Sequence, residues 1–526
     1  MATEQAKSNQ VSGRSSSALL HAASKVGGWT MLSRILGFVR DILIARVLGA
    51  GPLADAFFVA FKLPNFFRRM FAEGTLTVAL VPVLSDQREQ GEAQAHDFLN
   101  ALATLLLLAL LVFTVLGMAL MPWLLYGFAP GFADEPDRWA MSLDLARLMF
   151  PYLAMISLAA LSWAVLNTYK HFAVPAASPA LLNVAIILAA LVLAPSFENP
   201  AIALALGVLL GGFLQLAIQF PALKRVGWTP RLSFHFKQDA IVETLSLFGP
   251  ALLAIAAVQI NILIGTILAT LLDTGAVSYL YYSDRIVQLP LALFGIAMST
   301  ALLPTLSSHL SKGNTAAAGE DLRAGLAWLT WLTLPAVVGA LYLAQPIVVT
   351  LFERGAFSHA DSVATAQTLQ AYALGLIAFC WIKLFASACY AQKDAKAPMR
   401  YAAISVAVNI VLAVILMQFW AYVGLALATS LAAFVNVVML YLRLTKTYGS
   451  LLDGGMLKRF LTAFVASMLM LGYLFGFEMQ WPFPADGLMQ GLWLAAAMVG
   501  AVLVFLVSAL LLGERALLMR FLKRGD

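Results

Sequence analysis

ALVPVLS at residues 79–85 returns as ALLPTLS at residues 301–307, and each copy is followed six residues later by a glycine, Gly91 or Gly313. Further pairs keep nearly the same spacing: Gly131 and Phe132 correspond to Gly355 and Phe357, and Pro175 to Pro398, at separations of 223 to 225 residues. Six apolar spans lie between the copies. An even number restores the orientation of the chain in a bilayer, so the repeat predicts two halves related by an axis along the membrane normal, an architecture used by transporters. The last two apolar spans fall outside the repeat and are additions to a twelve-helix core.

Around this repeat the chain of 526 residues is 61% hydrophobic and 11% charged, with apolar runs of about 20 residues from end to end. That composition excludes a soluble multidomain protein and predicts an all-α polytopic membrane protein. The apolar spans give about fourteen helices, near residues 22–48, 54–86, 98–126, 138–168, 175–195, 200–222, 240–272, 277–311, 319–352, 360–391, 398–418, 421–446, 457–478 and 487–512. The expected division is a tail (1–21), an N-lobe (22–225, helices 1–6), a C-lobe (238–446, helices 7–12), two extra helices (457–512) and a second tail (513–526). Pro64, Pro82, Pro290 and Pro304 are expected kink points, because proline removes a helix donor and clashes with the preceding turn.

The loops carry a one-sided charge pattern. Arg88, Lys170, Lys224, Arg225, Lys312, Lys393, Lys396 and Lys446 fall on one side of an alternating path, and Asp134, Glu135, Glu198, Asp273 and Glu353 on the other, with Arg354 as the exception. Positive residues stay on the cytoplasmic side, so both termini are expected there. The net charge of +6 is scattered and builds no basic face for nucleic acid. The first residues are too hydrophilic for a signal peptide. Cys380 and Cys389 lie nine residues apart on one helix, hence on opposite faces, which excludes a disulfide between them. The six histidines do not gather into ligand spacing, and no nucleotide-binding, zinc-protease or hydrolase motif occurs, so no metal, cofactor or catalytic residue is assigned.

Chemistry concentrates instead in arginines within apolar helices, where each charge costs roughly 2.5–3.5 kcal/mol at the bilayer centre. A cluster of them implies an anionic guest or a wet cavity. In SRILGFVRD at 33–41, Arg34 and Asp41 lie nearly in line seven residues apart, whereas Arg40 points to a neighbouring face. In KLPNFFRR at 62–69, followed by Glu73 and Gly74, Arg69 is spaced to pair with Glu73, leaving Arg68 freer to meet a ligand. Asp55, near the outer end of the same span, reads equally as an interface residue. The eighth span holds YYSDR at 281–285 with Gln288 beyond it, and the repeat aligns Arg285 with Leu63. Arginine suits a phosphate because its planar fork stays charged. Snorkelling or local pairing is the competing reading, and it is preferred for Arg46 and Arg69. Asn183, Gln215, Gln259, Asn261 and Asn409 read as interhelical hydrogen-bond partners, as does Lys383, which could instead titrate or bind an anion.

SRILGFVRD (33–41), GAGPLADAFFVAFKLPNFFRRMFAEG (49–74) and YYSDRI (281–286) resemble the bacterial lipid II flippase family, MurJ (formerly MviN), of the multidrug/oligosaccharidyl-lipid/polysaccharide exporter superfamily. The resemblance implies two six-helix lobes around a central cavity, with the two extra helices forming a groove for a polyprenyl tail. It implies movement of undecaprenyl-diphosphate-linked disaccharide pentapeptide from the cytoplasmic to the periplasmic leaflet by alternating access. It places Arg34, Arg40 and Arg285 as cavity arginines, Arg68, Asp41 and Asp55 at motif positions, and Ser33 at a cavity position. The sodium site reported for some relatives is not carried over, because the C-terminal lobe offers Asn261, Asn409 and Thr429 but few carboxylates. The expected partners are lipid II, membrane lipid, and proteins of cell-wall synthesis and division; the expected state is a monomer in the inner membrane. Rival functions are another polyprenyl-linked oligosaccharide flippase, a multidrug antiporter, which would need cavity carboxylates, and a polyprenyl-phosphate glycosyltransferase, which would need a catalytic acid and a sizeable loop.

Overall fold

A computed structural model describes residues 26–71, 75–485 and 487–514, and among them the chain is helix and connecting turn with no strand. The expected tail at 1–21, Lys25, Glu73, Gly74, Asp486, the side chain of Asn261 and residues 515–526 lie outside the described residues. Among the described residues helix forms within each of the fourteen expected spans, and ten described stretches are long and apolar enough to cross a membrane.

The first compact unit ends at Leu271. Its helices are α1 (26–48), α2 (Pro52–Phe71), α3 (Thr75–Gln90), α4 (Glu92–Ala119), α5 (Met121–Phe128), α6 (Pro136–Met149), α7 (Tyr152–Thr168), α8 (Ala173–Leu188), α9 (Pro200–Ala217), α10 (Gln219–Arg225) and α11 (Asp239–Thr270). Two expected spans are broken where proline opens a new helix: Pro122 divides α4 from α5, and Pro151 divides α6 from α7. Each proline lacks the N–H that would continue the preceding ladder. Leu80, Leu84, Phe98, Leu99, Leu161 and Val165 form an apolar core between α3, α4 and α7, and Trp228 closes it beyond α10. Helix α11 packs along α3 and α2.

The second unit begins at Leu272 and contains α12 (Ala276–Pro290), α13 (Ala297–Ser311), α14 (Thr315–Phe352), α15 (His359–Ala391), α16 (Lys396–Tyr448), α17 (Gly454–Gln480) and α18 (Gly487–Leu511). Pro290 acts as expected: the residues after it, Leu291–Ile296, widen into a π-helical turn before α13 resumes. Helix α15 packs against α12, α13, α14 and α16. The eleventh and twelfth expected spans, both within α16, are two helices meeting at a sharp kink, where Trp420 (φ −132°) and Ala421 (φ 43°) leave helical geometry as the expected boundary implies. Gly424 permits this bend, since a Cβ there would lie 2.3 Å from the Leu416 carbonyl oxygen. The two added helices, α17 and α18, dock on α14 through Trp331, Met470, Trp493 and Phe505. Cys380 and Cys389 are both buried and free.

The repeat is written in the backbone as well. Gly91 (φ 146°) and Gly313 (φ 73°) each end the helix carrying the shared motif in a conformation that favours glycine. Lys170 and Lys393, which the repeat aligns, both adopt positive φ, 61° and 59°. The hydrogen bonds around them correspond one for one: Lys170 N to Asn167 O (3.0 Å) and His171 N to Leu166 O (2.8 Å), against Lys393 N to Tyr390 O (2.9 Å) and Asp394 N to Cys389 O (3.0 Å).

Candidate functional site

Within α1, Asp41 does not take the helix-face neighbour that spacing suggests. It accepts from Arg40 instead, at 3.0 Å from Nε and 2.7 Å from Nη2, and both side chains are buried. The long guanidinium stem curls back over one residue, which the angle between Cβ vectors alone does not reveal. Arg40 Nη1 donates to Asn183 Oδ1 on α8 at 2.9 Å, and Asn183 Nδ2 donates to the Ser33 carbonyl at 2.9 Å and lies 3.5 Å from its hydroxyl. Ser33, Arg40 and Asp41 are thereby joined in one network. Asn183 is an interhelical hydrogen-bond partner, and its specific task of linking Ser33 to Arg40 is not visible in the sequence.

Arg34 has a different environment. It is exposed, and among the described residues it makes no hydrogen bond or ion pair. It lies six residues from Arg40, about 9 Å along the helix axis.

Asp55 is fully buried and paired with Arg138 at the start of α6, itself 2% exposed. Arg138 also donates to Glu135 at 2.9 Å and stacks over the Phe132 ring at 3.9 Å. Sequence reading missed Arg138. The Glu135-to-Arg138 spacing of one helical turn was the available signal, but nothing local announces a carboxylate 83 residues earlier in the chain.

Arg68 is half-buried on α2, where its Nε donates to Asn65 Oδ1 at 3.1 Å. One turn and a half earlier, Lys62 donates to Thr266 on α11 at 3.1 Å. In the second unit, Arg285 is half-buried on α12; its Nη2 donates to the Tyr281 hydroxyl at 3.1 Å, and the guanidinium lies over the Tyr281 ring at 4.8 Å. Gln288, 3.5 Å from Arg285 Nη1, in turn donates to Asp284. These are neighbours three and four residues along one helix, so the sequence spacing does anticipate them. Lys383 is exposed on α15. Among the described residues no cluster of metal-ligating side chains occurs.

Chemically, Arg40, Arg68 and Arg285 present forked cations whose orientations are set by side-chain hydrogen bonds from the same or a packed helix, and Arg34 presents one that is not so held among the described residues. A guanidinium fork has the charge and planar geometry that suit a phosphate oxygen pair.

The chain is also similar to known proteins along most of its length. A family model described as Lipid II flippase MurJ matches residues 44–484. The chain is 37% identical to a probable lipid II flippase MurJ of Haemophilus influenzae, over 92% of this chain and 98% of that protein. It is 35% identical to a protein of the same description from Rhizobium tropici, over 95% and 96% of the two. Among solved structures, a lipid II flippase MurJ in an inward closed conformation superposes with a TM-score of 0.79 at 27% identity, over 94% of this chain and 99% of that one. An inward-facing multidrug resistance MATE family transporter of the MOP superfamily shares the fold, with a TM-score of 0.65 at 12% identity, over 81% of this chain and 98% of that one.

Proposed function

Because this chain belongs to the MurJ family of lipid II flippases, we propose that it holds the diphosphate of its substrate on guanidinium groups carried by apolar helices. The protein is a multi-pass transporter of the inner membrane, and it flips lipid II. The headgroup passes through water while the polyprenyl chain stays in lipid, so the charged diphosphate is the part that needs a protein partner. A guanidinium–phosphate pair at 4 Å is worth about 4 kcal/mol at an effective dielectric constant of 20.

Arg34 carries this reading: an exposed cation in an apolar helix, without an ion partner among the described residues. Beside it, Asp41 and Asn183 fix the fork of Arg40, and Ser33 shares the same amide. Arg68 and Arg285, steered by Asn65 and by Tyr281, supply further forks. Without substrate, bringing such cations closer together is opposed by their repulsion; a bound diphosphate offsets it. The loaded transporter then changes its facing state more readily than the empty one, which is the condition for alternating access. The basic loops favour an orientation with both termini in the cytoplasm, and so outward movement of the headgroup.

The test uses the purified full-length protein in vesicles with labelled lipid II in one leaflet. Intact lipid II recovered from the other leaflet is the expected result. A new glycan product found by mass spectrometry, without leaflet exchange, would overturn transport in favour of glycosyl transfer.

A further inference from the structure

Between α10 and α11 the chain runs as a strap without regular secondary structure, its depth set by α4. Trp228 Nε1 and the Arg231 backbone N–H both donate to Asn100 Oδ1 at 3.0 Å, and the Ser233 N–H donates to Thr104 Oγ1 at 2.9 Å. The strap therefore descends about 6 Å along α4, one helical turn. This is the level at which α4 changes character: Glu92, Gln94, His96, Asp97 and Asn100 precede it, and from Ala101 the helix is almost wholly apolar. Farther down, Leu111, Val112 and Val115 are exposed, as lipid-facing residues are.

The Ser233 side chain is half-buried, whereas its two neighbours face outward. Leu232 is 70% exposed and Phe234 66% exposed, with Phe236 edge-on to Phe234 at 6.0 Å. Arg231 and Lys237 flank them, and Lys224 and Arg225 at the end of α10 are exposed as well. The exposed acidic residues close by are Asp239, Glu243 and, one turn before Asn100 on α4, Asp97, so the four exposed cations outnumber them. Large apolar side chains held at the polar-to-apolar boundary, with basic residues beside them, match a bilayer interface and its anionic headgroups.

We propose that residues 229–237 form an interfacial anchor, in which Leu232 and Phe234 enter the acyl boundary while Arg231 and Lys237 bind phosphates of anionic phospholipid. A soluble protein partner is disfavoured because the hydrogen bonds to Asn100 and Thr104 hold the apolar tips at membrane depth. The anchor leads directly into α11, so it ties the start of that helix to the leaflet surface.

The test places nitroxide labels on the full-length protein in nanodiscs at Leu232→Cys, at Phe234→Cys and, as a water-exposed control, at Gln94→Cys; the native cysteines are buried. Collision with oxygen should exceed collision with a water-soluble nickel chelate at positions 232 and 234 and fall below it at 94. Replacing phosphatidylcholine with phosphatidylglycerol should deepen both labels. Nickel access equal to that at position 94, or immersion indifferent to phosphatidylglycerol, overturns the proposal. A second measurement needs no label: native mass spectrometry should show phosphatidylglycerol affinity falling on the order of tenfold in the Arg231→Ala/Lys237→Ala double variant. Equal retention by that variant and the wild type also overturns it.

Discussion

Arg34 and Arg40 sit on one helix, yet one is exposed without a side-chain partner among the described residues and the other is buried between Asp41 and Asn183. The sequence shows both as costly charges. It does not show which one Asp41 neutralises, because a flexible guanidinium stem chooses its partner from the packed surroundings. Asn183→Leu therefore removes the hydrogen bonds that join Arg40 to Ser33 through α8, and leaflet-to-leaflet movement of lipid II should fall about tenfold while the protein stays folded. Unchanged transport would mean the network has no part in substrate handling. Arg138→Ala takes the guanidinium from a fully buried Asp55, and loss of one partner from such a pair costs about 3–5 kcal/mol. Thermal unfolding in detergent should show a large drop, relieved in Asp55→Leu/Arg138→Met; a wild-type midpoint in the single variant would refute the pairing.

At the scale of helices, apolar runs and prolines made most elements legible, and Pro290 does distort its helix. Pro122 and Pro151 were equally visible in the sequence, but each sits where a new helix begins, so continuous hydropathy concealed the break. The repeat extends to turn chemistry that composition hides, as the two lysines at positive φ show. Lys170→Gly and Lys393→Gly each remove the crowding of a side chain in that conformation, with an expected gain of about 1 kcal/mol in stability by thermal unfolding. Destabilisation by both would contradict the turn geometry. In the second of these turns, the Ala397 N–H, with Arg443 beyond it, holds the Asp394 carboxyl below its ordinary range. A lowered folded-state value gives stability that is present above the ordinary carboxylate range and is lost as pH falls through the lowered value. Asp394→Asn should flatten that acid limb of a stability–pH profile, and an unaltered limb would assign it to other groups.

For the molecule as a whole, the fold was legible because the bilayer restricts a chain this apolar to helices, and because a repeat separated by six spans constrains topology. The substrate was legible only through motifs such as SRILGFVRD, since arginines in a membrane report an anion and not its identity. Arg138 and the strap pinned to Asn100 were not legible, because both depend on contacts between segments distant in the chain.

If particular guanidinium groups carry the diphosphate, the rate of lipid II exchange in vesicles depends on them. Arg34→Ala and Arg285→Ala should each slow exchange by about tenfold or more, whereas Arg46→Ala, on the same helix as Arg34, should remain near the wild-type rate. Wild-type exchange by Arg34→Ala and Arg285→Ala, in protein shown to be folded and inserted, would contradict the account.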